Sequence, residues 1–360
     1  MTIVRGKAVA YRMFDIAEEI DLASLEHLVG SQRLSIARGG IHAPIFRDAP
    51  VSVALGKLEL RLGSRYVPAD SVARFWNYGA VSLQFHISLP AGMSWQELIE
   101  MAAAIEDDND IDAVARLKAG DLLHGISRAL RSPHEPAAAE DYVIYVISSL
   151  EGASASDLAA RADIPALILG EPTARLSGRI RQSIQANTFG YTEDDVAVVD
   201  WNSALIVDPA GGGEVADVLE FAVTHLMELR YFDDLLDHRL EKVYDEVEKR
   251  RPSLLGRDYE PLSREASSLY LEFSDYVERV ENSVKFVGDP YLATIFRGAA
   301  NRFNLGDWEA SVTRKLNTLA RIAELLQAEV NVRRSHLLEI IIIVLILYEI
   351  VSAALVIPSP

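Results

Sequence analysis

Runs of β-forming residues and one clear two-residue alternation predict a sheet in the first 210 residues. Residues 51–62 alternate apolar and polar side chains, the period of a half-buried strand. Two other stretches each hold a pair of β-rich runs around a turn, which predicts hairpins turning at Asn77-Tyr78-Gly79 and at Trp201-Asn202-Ser203. The predicted strands and hairpins cover residues 3–14, 51–62, 74–90, 141–150 and 194–208.

Helical periodicity alternates with these strands. We predict helices over residues 16–29, 94–106 and 154–162, and over residues 167–184 with a break at Glu171-Pro172. Ser94 and Glu97 have the spacing of a capping box, so Ser94 is the expected N-cap. Residues 131–140 are rich in Pro and Ala and are predicted to be a loop. The first 210 residues therefore form an α/β body, whose element order would also suit two similar halves, about 1–130 and 140–210.

From residue 214 onward nearly every segment has helical periodicity. Apolar residues advance in threes and fours over residues 215–247, 262–287 and 312–330, each as one stripe along a long helix. The sequence Pro-Ala-Gly-Gly-Gly at residues 209–213 separates these helices from the α/β body. We predict a helical stalk or bundle over residues 214–336, with its third helix running into the tail. The predicted fold class is α+β, and the tail adds a C-terminal transmembrane helix.

The tail, residues 337–357, is long and apolar enough to cross a bilayer as a helix. Its polar residues are Glu339, Glu349 and Ser352. Glu339 lies within a turn of the polar end and can reach the headgroups, whereas Glu349 falls near the middle. An acidic residue at mid-bilayer costs about 2.5–3.5 kcal/mol on insertion scales, and each Leu, Ile or Val returns about 0.3–0.6 kcal/mol. The aliphatic run can therefore outweigh one central acid.

Glu349 also suggests that copies of the chain associate. A carboxyl group near the middle of a membrane should be protonated, paired or turned toward another helix, so we expect a homo-oligomer. Arg333 and Arg334 precede the span, and by the positive-inside rule they hold its start in the cytoplasm. The alternative is a buried core helix of a soluble oligomer.

Composition excludes some functional classes. The 360 residues contain 49% hydrophobic residues, enough for a substantial core. The net charge of −18 argues against a general nucleic-acid-binding protein. The absence of cysteine rules out disulfides, thiolate metal sites and a cysteine nucleophile. The first 21 residues resemble neither a secretory signal nor a transit peptide, so membrane insertion would depend on the tail.

Motif searches predict no catalytic, cofactor or metal site. The acidic run at residues 106–112 lacks the Gly and Glu that an EF-hand loop requires. Gly211-Gly212-Gly213 is not followed by the Lys-Ser/Thr of a P-loop. Asp121 and His124 have the spacing of one di-iron half-site, but the matching ligands are missing. We therefore expect no cofactor and a non-enzymatic protein.

Three stretches together resemble one known family. They are DDVAVVDWNSALIVDP at 194–209, VLEFAVTHLMELRYFDDLLD at 218–237 and LLEIIIIVLILYEI at 337–350. The segments EDYVIYVI at 140–147 and LNTLARIAELL at 316–326 fit the same pattern. In this order they resemble the required-for-meiotic-nuclear-division and sporulation family, which is catalogued as a domain of unknown function.

The resemblance implies a membrane-associated protein. Mitochondrial relatives are linked to organelle translation, as proteins that hold ribosomes at the inner membrane. The family has no established catalytic residue, so none is carried over. Because this chain lacks a targeting extension, we expect the inner membrane of a bacterial cell, with the body in the cytoplasm, rather than mitochondria. Its acidity favours basic protein partners, such as ribosomal proteins, over direct contact with nucleic acid.

Six residues in the resembling stretches are interaction candidates. We expect Trp201 to pack between the α/β body and the helical stalk, and Asp200 to brace the same junction. Arg230 is one turn from Asp233 and Asp234 and could pair with either. Structural roles are favoured over ligand binding for the whole set, which is Asp200, Trp201, Asn202, Glu228, Arg230 and Asp233.

These observations support a tail-anchored membrane protein that acts as a tether or scaffold. A second hypothesis is a membrane-attached enzyme or small-molecule sensor with a pocket in the α/β body near the two hairpins. The third keeps the tail as the core of a soluble oligomer. A pocket lined by convergent polar groups would distinguish the second hypothesis, and a monodisperse full-length protein without detergent would favour the third.

Overall fold

The computed structural model describes residues 2–29, 33–34, 45–46, 49–106, 109–136, 139–152, 154–249, 260–285 and 289–356. The chain divides into two compact units. Unit 1 comprises Met1–Tyr231 and Tyr276–Glu309, and unit 2 comprises Phe232–Asp275 and Ala310–Pro360. A β-sheet dominates unit 1 and helices form unit 2, so the predicted α+β class is confirmed.

Unit 1 is built on one large sheet. Its strands are β1 (Thr2–Asp15), β3 (Arg33–Leu34), β5 (Val51–Leu62), β6 (Arg65–Phe75), β7 (Ala80–Ser88), β8 (Met93–Ser94), β10 (Ala139–Glu151), β11 (Thr188–Phe189), β12 (Val196–Val199) and β13 (Ser203–Val207). They follow the order β11-β12-β13-β10-β1-β7-β6-β5-β3, and β8 pairs with β1. The pairs are antiparallel except β10 with β13, which run parallel.

Among the residues that the structure describes, four short strands pair outside this sheet. β2 (Ala17–Ile20) pairs with β9 (Leu130–Pro133), and β4 (Ile45–Phe46) pairs with β14 (Val284–Lys285).

In the described part of the chain, six helices form a core with one face of the sheet. They are α1 (Leu22–Val29), α2 (Trp95–Glu106), α3 (Asn109–Ile126), α4 (Ala155–Arg161), α5 (Ile164–Ile168) and α6 (Gly178–Gln185). Ala8, Ala10 and Phe14 of β1 belong to this core, together with buried Leu, Ile and Ala residues of the helices. Alternate residues of a strand point to opposite faces, so Lys7, Val9 and Tyr11 face the other way.

The opposite face of the sheet is covered by α7 (Gly213–Lys249), whose first half lies in unit 1. Apolar α7 residues such as Val218, Phe221 and Ala222 are fully buried. α9 (Pro290–Arg302) also lies in unit 1 and begins at the N-cap Asp289. Both faces of the central strands are therefore covered, which explains the continuous apolar run in β10.

Unit 2 consists of the second half of α7, most of α8 (Glu260–Ser283) and most of α10 (Leu305–Val356). Phe232 and Phe273 meet edge to face, with ring centroids 5.2 Å apart. Lys315 of α10 lies 2.8 Å from Asp233 and 2.6 Å from Asp237, both on α7. Apolar stripes and ion pairs thus hold these three helices together.

The predicted strands and hairpins are confirmed by β1, β5, β6–β7, β10 and β12–β13. Ser94 and Glu97 form the predicted capping box: the Glu97 amide donates to Ser94 Oγ at 3.3 Å, and the Ser94 amide donates to Glu97 Oε2 at 2.7 Å. The third long helix does continue into the tail, because α10 is a single 52-residue helix.

Three local predictions were wrong. Residues 17–20 form β2 rather than the start of a helix, and the predicted loop at 131–140 contains β9. Residues 167–184 are helical only at their ends, in α5 and α6. The first two errors have one cause, because β2 and β9 pair with each other and cross-strand pairing overrides local propensity.

Candidate functional site

Asp200 lies at the β12–β13 turn and is 3% exposed. Its carboxylate forms an ion pair with Arg302 at the end of α9. Its backbone oxygen accepts a hydrogen bond of 2.9 Å from the Tyr142 hydroxyl. Burial raises the pKa of Tyr142, and the Asp200 charge adds to this effect. Asp200 therefore ties the β12–β13 hairpin to α9 within unit 1.

Arg230 lies between two tryptophan rings. Its guanidinium carbon is 5.3 Å from the centroid of Trp201 and 5.4 Å from that of Trp308. The same guanidinium forms an ion pair with Glu140 at the start of β10. Trp201 also packs edge to face on Phe303, at 6.3 Å between centroids. Arg230 thus pairs with Glu140 rather than with Asp233 or Asp234, and two cation–π contacts also hold its guanidinium.

The remaining interaction candidates are placed separately. Asn202 is exposed, and its backbone oxygen accepts a hydrogen bond of 3.0 Å from the Val143 amide. Glu228 is buried on α7, with 3% of its surface exposed. Asp233 lies in unit 2, where it bonds to Ser311 at 2.9 Å and pairs with Lys315. The structure thus brings together Asp200, Trp201 and Arg230, but it places Asp233 in a different unit.

The membrane candidates lie on α10. Ser335–Ser352 is a helical stretch of 18 residues with a mean hydropathy of 2.1, and none of it is buried. By length and composition it could cross a membrane. Arg333 and Arg334 precede this stretch, and Glu339 and Glu349 lie within it, both exposed. The large apolar residues over 338–351 are 45–72% exposed, so the part of the chain that the structure describes does not cover them.

A row of buried and half-buried polar side chains, which the sequence motifs did not predict, lies between the sheet and α7. We call it the polar row: Lys7, Ser52, Arg74, Gln84, His86, Asp217 and Glu220. The first five lie on β1, β5, β6 and β7, and the acidic residues lie one turn apart on α7. The sequence carries a partial signal of this row, because Gln84 and His86 interrupt the buried strand β7, and Asp217 and Glu220 interrupt the buried apolar stripe of α7.

Arg74 forms the centre of the polar row. Its Nη1 lies 2.6 Å from both Asp217 Oδ1 and Glu220 Oε2, and its Nε donates to Ser52 Oγ at 3.2 Å. Gln84 Nε2 donates to both Glu220 oxygens, at 2.9 and 3.0 Å. Burial raises the pKa of Glu220, although the Arg74 charge partly opposes the shift. Glu220, 1% exposed, thus depends on Arg74 for a stable negative charge.

The hydrogen-bond pattern also fixes the tautomer of His86. Because the Gln84 amide nitrogen donates to Glu220, its oxygen must be the acceptor in the 2.9 Å bond with His86 Nε2. Burial lowers the pKa of His86 to about 4, and the Lys7 and Arg74 charges add to this effect. The neutral ring therefore carries its proton on Nε2 and presents a lone pair at Nδ1, 3.4 Å from Lys7 Nζ.

The polar row supplies an amine, an imidazole, a guanidinium and two carboxyl groups on a rigid sheet and helix. Such a set can bind a polar ligand or hold a reactive group in place. It does not suggest a metal site: in the part of the chain that the structure describes, no three His, Asp or Glu residues are grouped to hold a metal ion.

Comparisons with known proteins place the body of the chain in a family. Over 167 residues the chain is 26% identical to the uncharacterized protein MJ0711 of Methanocaldococcus jannaschii, covering 45% of this chain and 50% of that protein. The chain thus matches half the length of this curated relative. No solved structure matches this chain. Residues 5–214 match the family described as "Uncharacterized protein MJ0711, N-terminal domain". This match spans more than half of the chain, which therefore belongs to that family, a domain of unknown function.

Proposed function

We propose that this protein is a non-enzymatic membrane-attached scaffold whose α10 helix anchors it in the bilayer. The observation that carries the proposal is the exposed apolar stretch Ser335–Ser352, which continues a helix packed in unit 2. Exposing about a dozen Leu, Ile and Val side chains to water would be strongly unfavourable, since burying one such side chain stabilises a protein by about 1.5–3 kcal/mol. A bilayer provides the apolar surroundings that these side chains lack.

The start of the span lies on the cytoplasmic side in this proposal. Arg333 and Arg334 immediately precede the apolar stretch, and cytoplasmic flanks carry an excess of Lys and Arg. A bacterial inner membrane with the body in the cytoplasm fits this orientation. Copies of the chain associate through the span, because Glu349 falls near the middle of the predicted membrane segment 337–357 and its carboxyl group gains from a partner helix.

A charge placed in the apolar stretch tests the anchor. Leu345 lies inside the stretch and is 60% exposed, and Leu325 lies on the same helix outside it and is 66% exposed. Leu345→Arg should lower the membrane-bound fraction in a carbonate-extraction experiment. Its cost of about 2.5–3.5 kcal/mol on insertion scales is on the order of a hundredfold in the equilibrium.

Leu325→Arg is the matched control and should leave the membrane-bound fraction unchanged. Wild-type protein that is released by carbonate, or that is monodisperse without detergent, would contradict the anchor. Equal behaviour of the two variants would also contradict it.

For the partner, we extend the proposal to ribosomes at the membrane, on the strength of the resemblance to the meiotic-division and sporulation family. The net charge of −18 favours basic protein surfaces, including those of ribosomal proteins. Affinity isolation from gently solubilised membranes should then recover ribosomal proteins at low salt, and less of them as salt increases. Recovery of the scaffold without ribosomal proteins at low salt would reject this partner but leave the anchor standing.

A further inference from the structure

Lys7 lies at the half-buried end of the polar row. One side-chain hydrogen bond, to His86 Nδ1, holds its amine. Of the residues that the structure describes, none places a carboxylate within salt-bridge distance of this amine. Most lysines expose their amine at the surface or pair it with an acid, so this placement calls for a specific explanation.

The charged groups around Lys7 come from three elements. His86 on β7 is neutral, Arg74 on β6 is cationic, and the acids Asp217 and Glu220 approach from α7, where they bond to Arg74. Burial is the largest influence and lowers the pKa of Lys7; Asp217 opposes the shift and Arg74 adds to it. The unprotonated amine, which is the nucleophilic form, is therefore more populated than in an exposed lysine.

His86 gives that amine a fixed direction. Because Gln84 forces the Nε2–H tautomer, His86 Nδ1 can only accept a hydrogen bond, and it takes one N–H of Lys7. A neutral Lys7 amine held in this way keeps its own lone pair available. Side chains locked by a second layer of hydrogen bonds are the arrangement expected of a functional group.

We propose that Lys7 is the reactive amine of a carbonyl-binding site, where it forms an imine with a small aldehyde or keto compound and His86 acts as a positioning residue. The lysine nitrogen bonds to the carbonyl carbon. The two amine protons move to the carbonyl oxygen, which leaves as water. The step is neither an oxidation nor a reduction, and it needs no co-reactant.

Reductive trapping tests this inference on the full-length protein in detergent. The protein is incubated with pyruvate and cyanoborohydride over a pH series, and the adduct on each lysine is quantified by peptide mass spectrometry. Lys7 should be modified several-fold more than the control Lys57 at neutral pH, and its half-maximal pH should be lower. Lys57 suits the comparison because its side chain is 85% exposed.

One variant separates the proposal from a purely structural role, and Lys7→Arg controls the assignment of the adduct. Lys7→Arg keeps a long basic side chain but removes the primary amine, so the preferential adduct should disappear. Asp217→Asn still offers an oxygen to Arg74 but removes the charge that raises the pKa of Lys7, so the half-maximal pH of Lys7 should fall further. The proposal is overturned if Lys7 reacts no faster than Lys57, or if Asp217→Asn leaves the half-maximal pH unchanged in a folded protein.

Discussion

Arg74 is the cation that makes the buried Glu220 carboxylate tolerable. Arg74→Met leaves Glu220 buried without its ion pair, while Gln84 still donates to it. Removing one member of a buried pair typically costs about 3–5 kcal/mol, so we expect a loss of this order in the free energy of unfolding. Denaturant unfolding followed by circular dichroism measures it.

Glu220→Gln is the rescue variant for this prediction. Combined with Arg74→Met, it removes the unpaired acid, so the double variant should be more stable than Arg74→Met alone. Such a gain identifies the buried charge as the source of the loss, since coupled residues do not contribute additively. If the double variant is as unstable as Arg74→Met or worse, lost packing of the Arg74 side chain explains the loss instead.

At the residue scale, the sequence selected Asp200, Trp201 and Arg230 as candidates but predicted neither their contact with one another nor their partners. The structure brings the three together, and Arg230 pairs with Glu140, which is 90 positions away in sequence. Spacing along one helix finds pairs worth a few tenths of a kcal/mol, whereas this partner depends on how β10 and α7 pack. Lys7 and Arg74 were missed for the same reason, because the strand register that brings them near α7 is not visible in one sequence.

At the element scale, Gly79 sets the turn between β6 and β7. Its φ is +102°, and a Cβ added there would lie 1.7 Å from the backbone oxygen of Ala17. Gly79→Ala should therefore lower the free energy of unfolding by about 3 kcal/mol or more, because the clash is with backbone and cannot be relieved by a side-chain rotation. Thermal unfolding in detergent compares it with the wild type.

Gly63→Ala is the control in the neighbouring β5–β6 turn. Gly63 also has a positive φ, +59°, but an added Cβ would meet nothing within 4 Å. Only the backbone strain applies there, about 1–2 kcal/mol. Equal losses of unfolding free energy for the two variants would mean that the clash between the added Cβ and the Ala17 oxygen does not contribute to the cost of Gly79→Ala.

Elements with a strong local signal were predictable, and elements defined by distant partners were not. The alternation of apolar and polar residues predicted β5 with its observed bounds, and the capping box predicted the start of α2. In contrast, residues 17–20 contain Ala and two Glu, which favour a helix, yet they form β2 because β9 pairs with them. α9 was not predicted either, although Leu292, Ile295 and Ala299 form a buried apolar stripe at helical spacing along it.

At the scale of the whole molecule, the proposed anchor gives the chain a direction across the membrane, and two single cysteines can test it. The natural chain contains no cysteine, so each introduced thiol is unique. Glu324 is exposed on α10 before the apolar stretch, and Ser359 lies after it in the sequence, outside the described residues. With Arg333 and Arg334 on the cytoplasmic side, a membrane-impermeant maleimide added to intact bacterial cells should label Ser359→Cys and not Glu324→Cys.

In permeabilised cells, the maleimide should label both variants. Reaction of both variants in intact cells, or of neither, would exclude a single crossing in this orientation. The reverse pattern would place the α/β body outside the cytoplasm, where a partner such as the ribosome could not reach it.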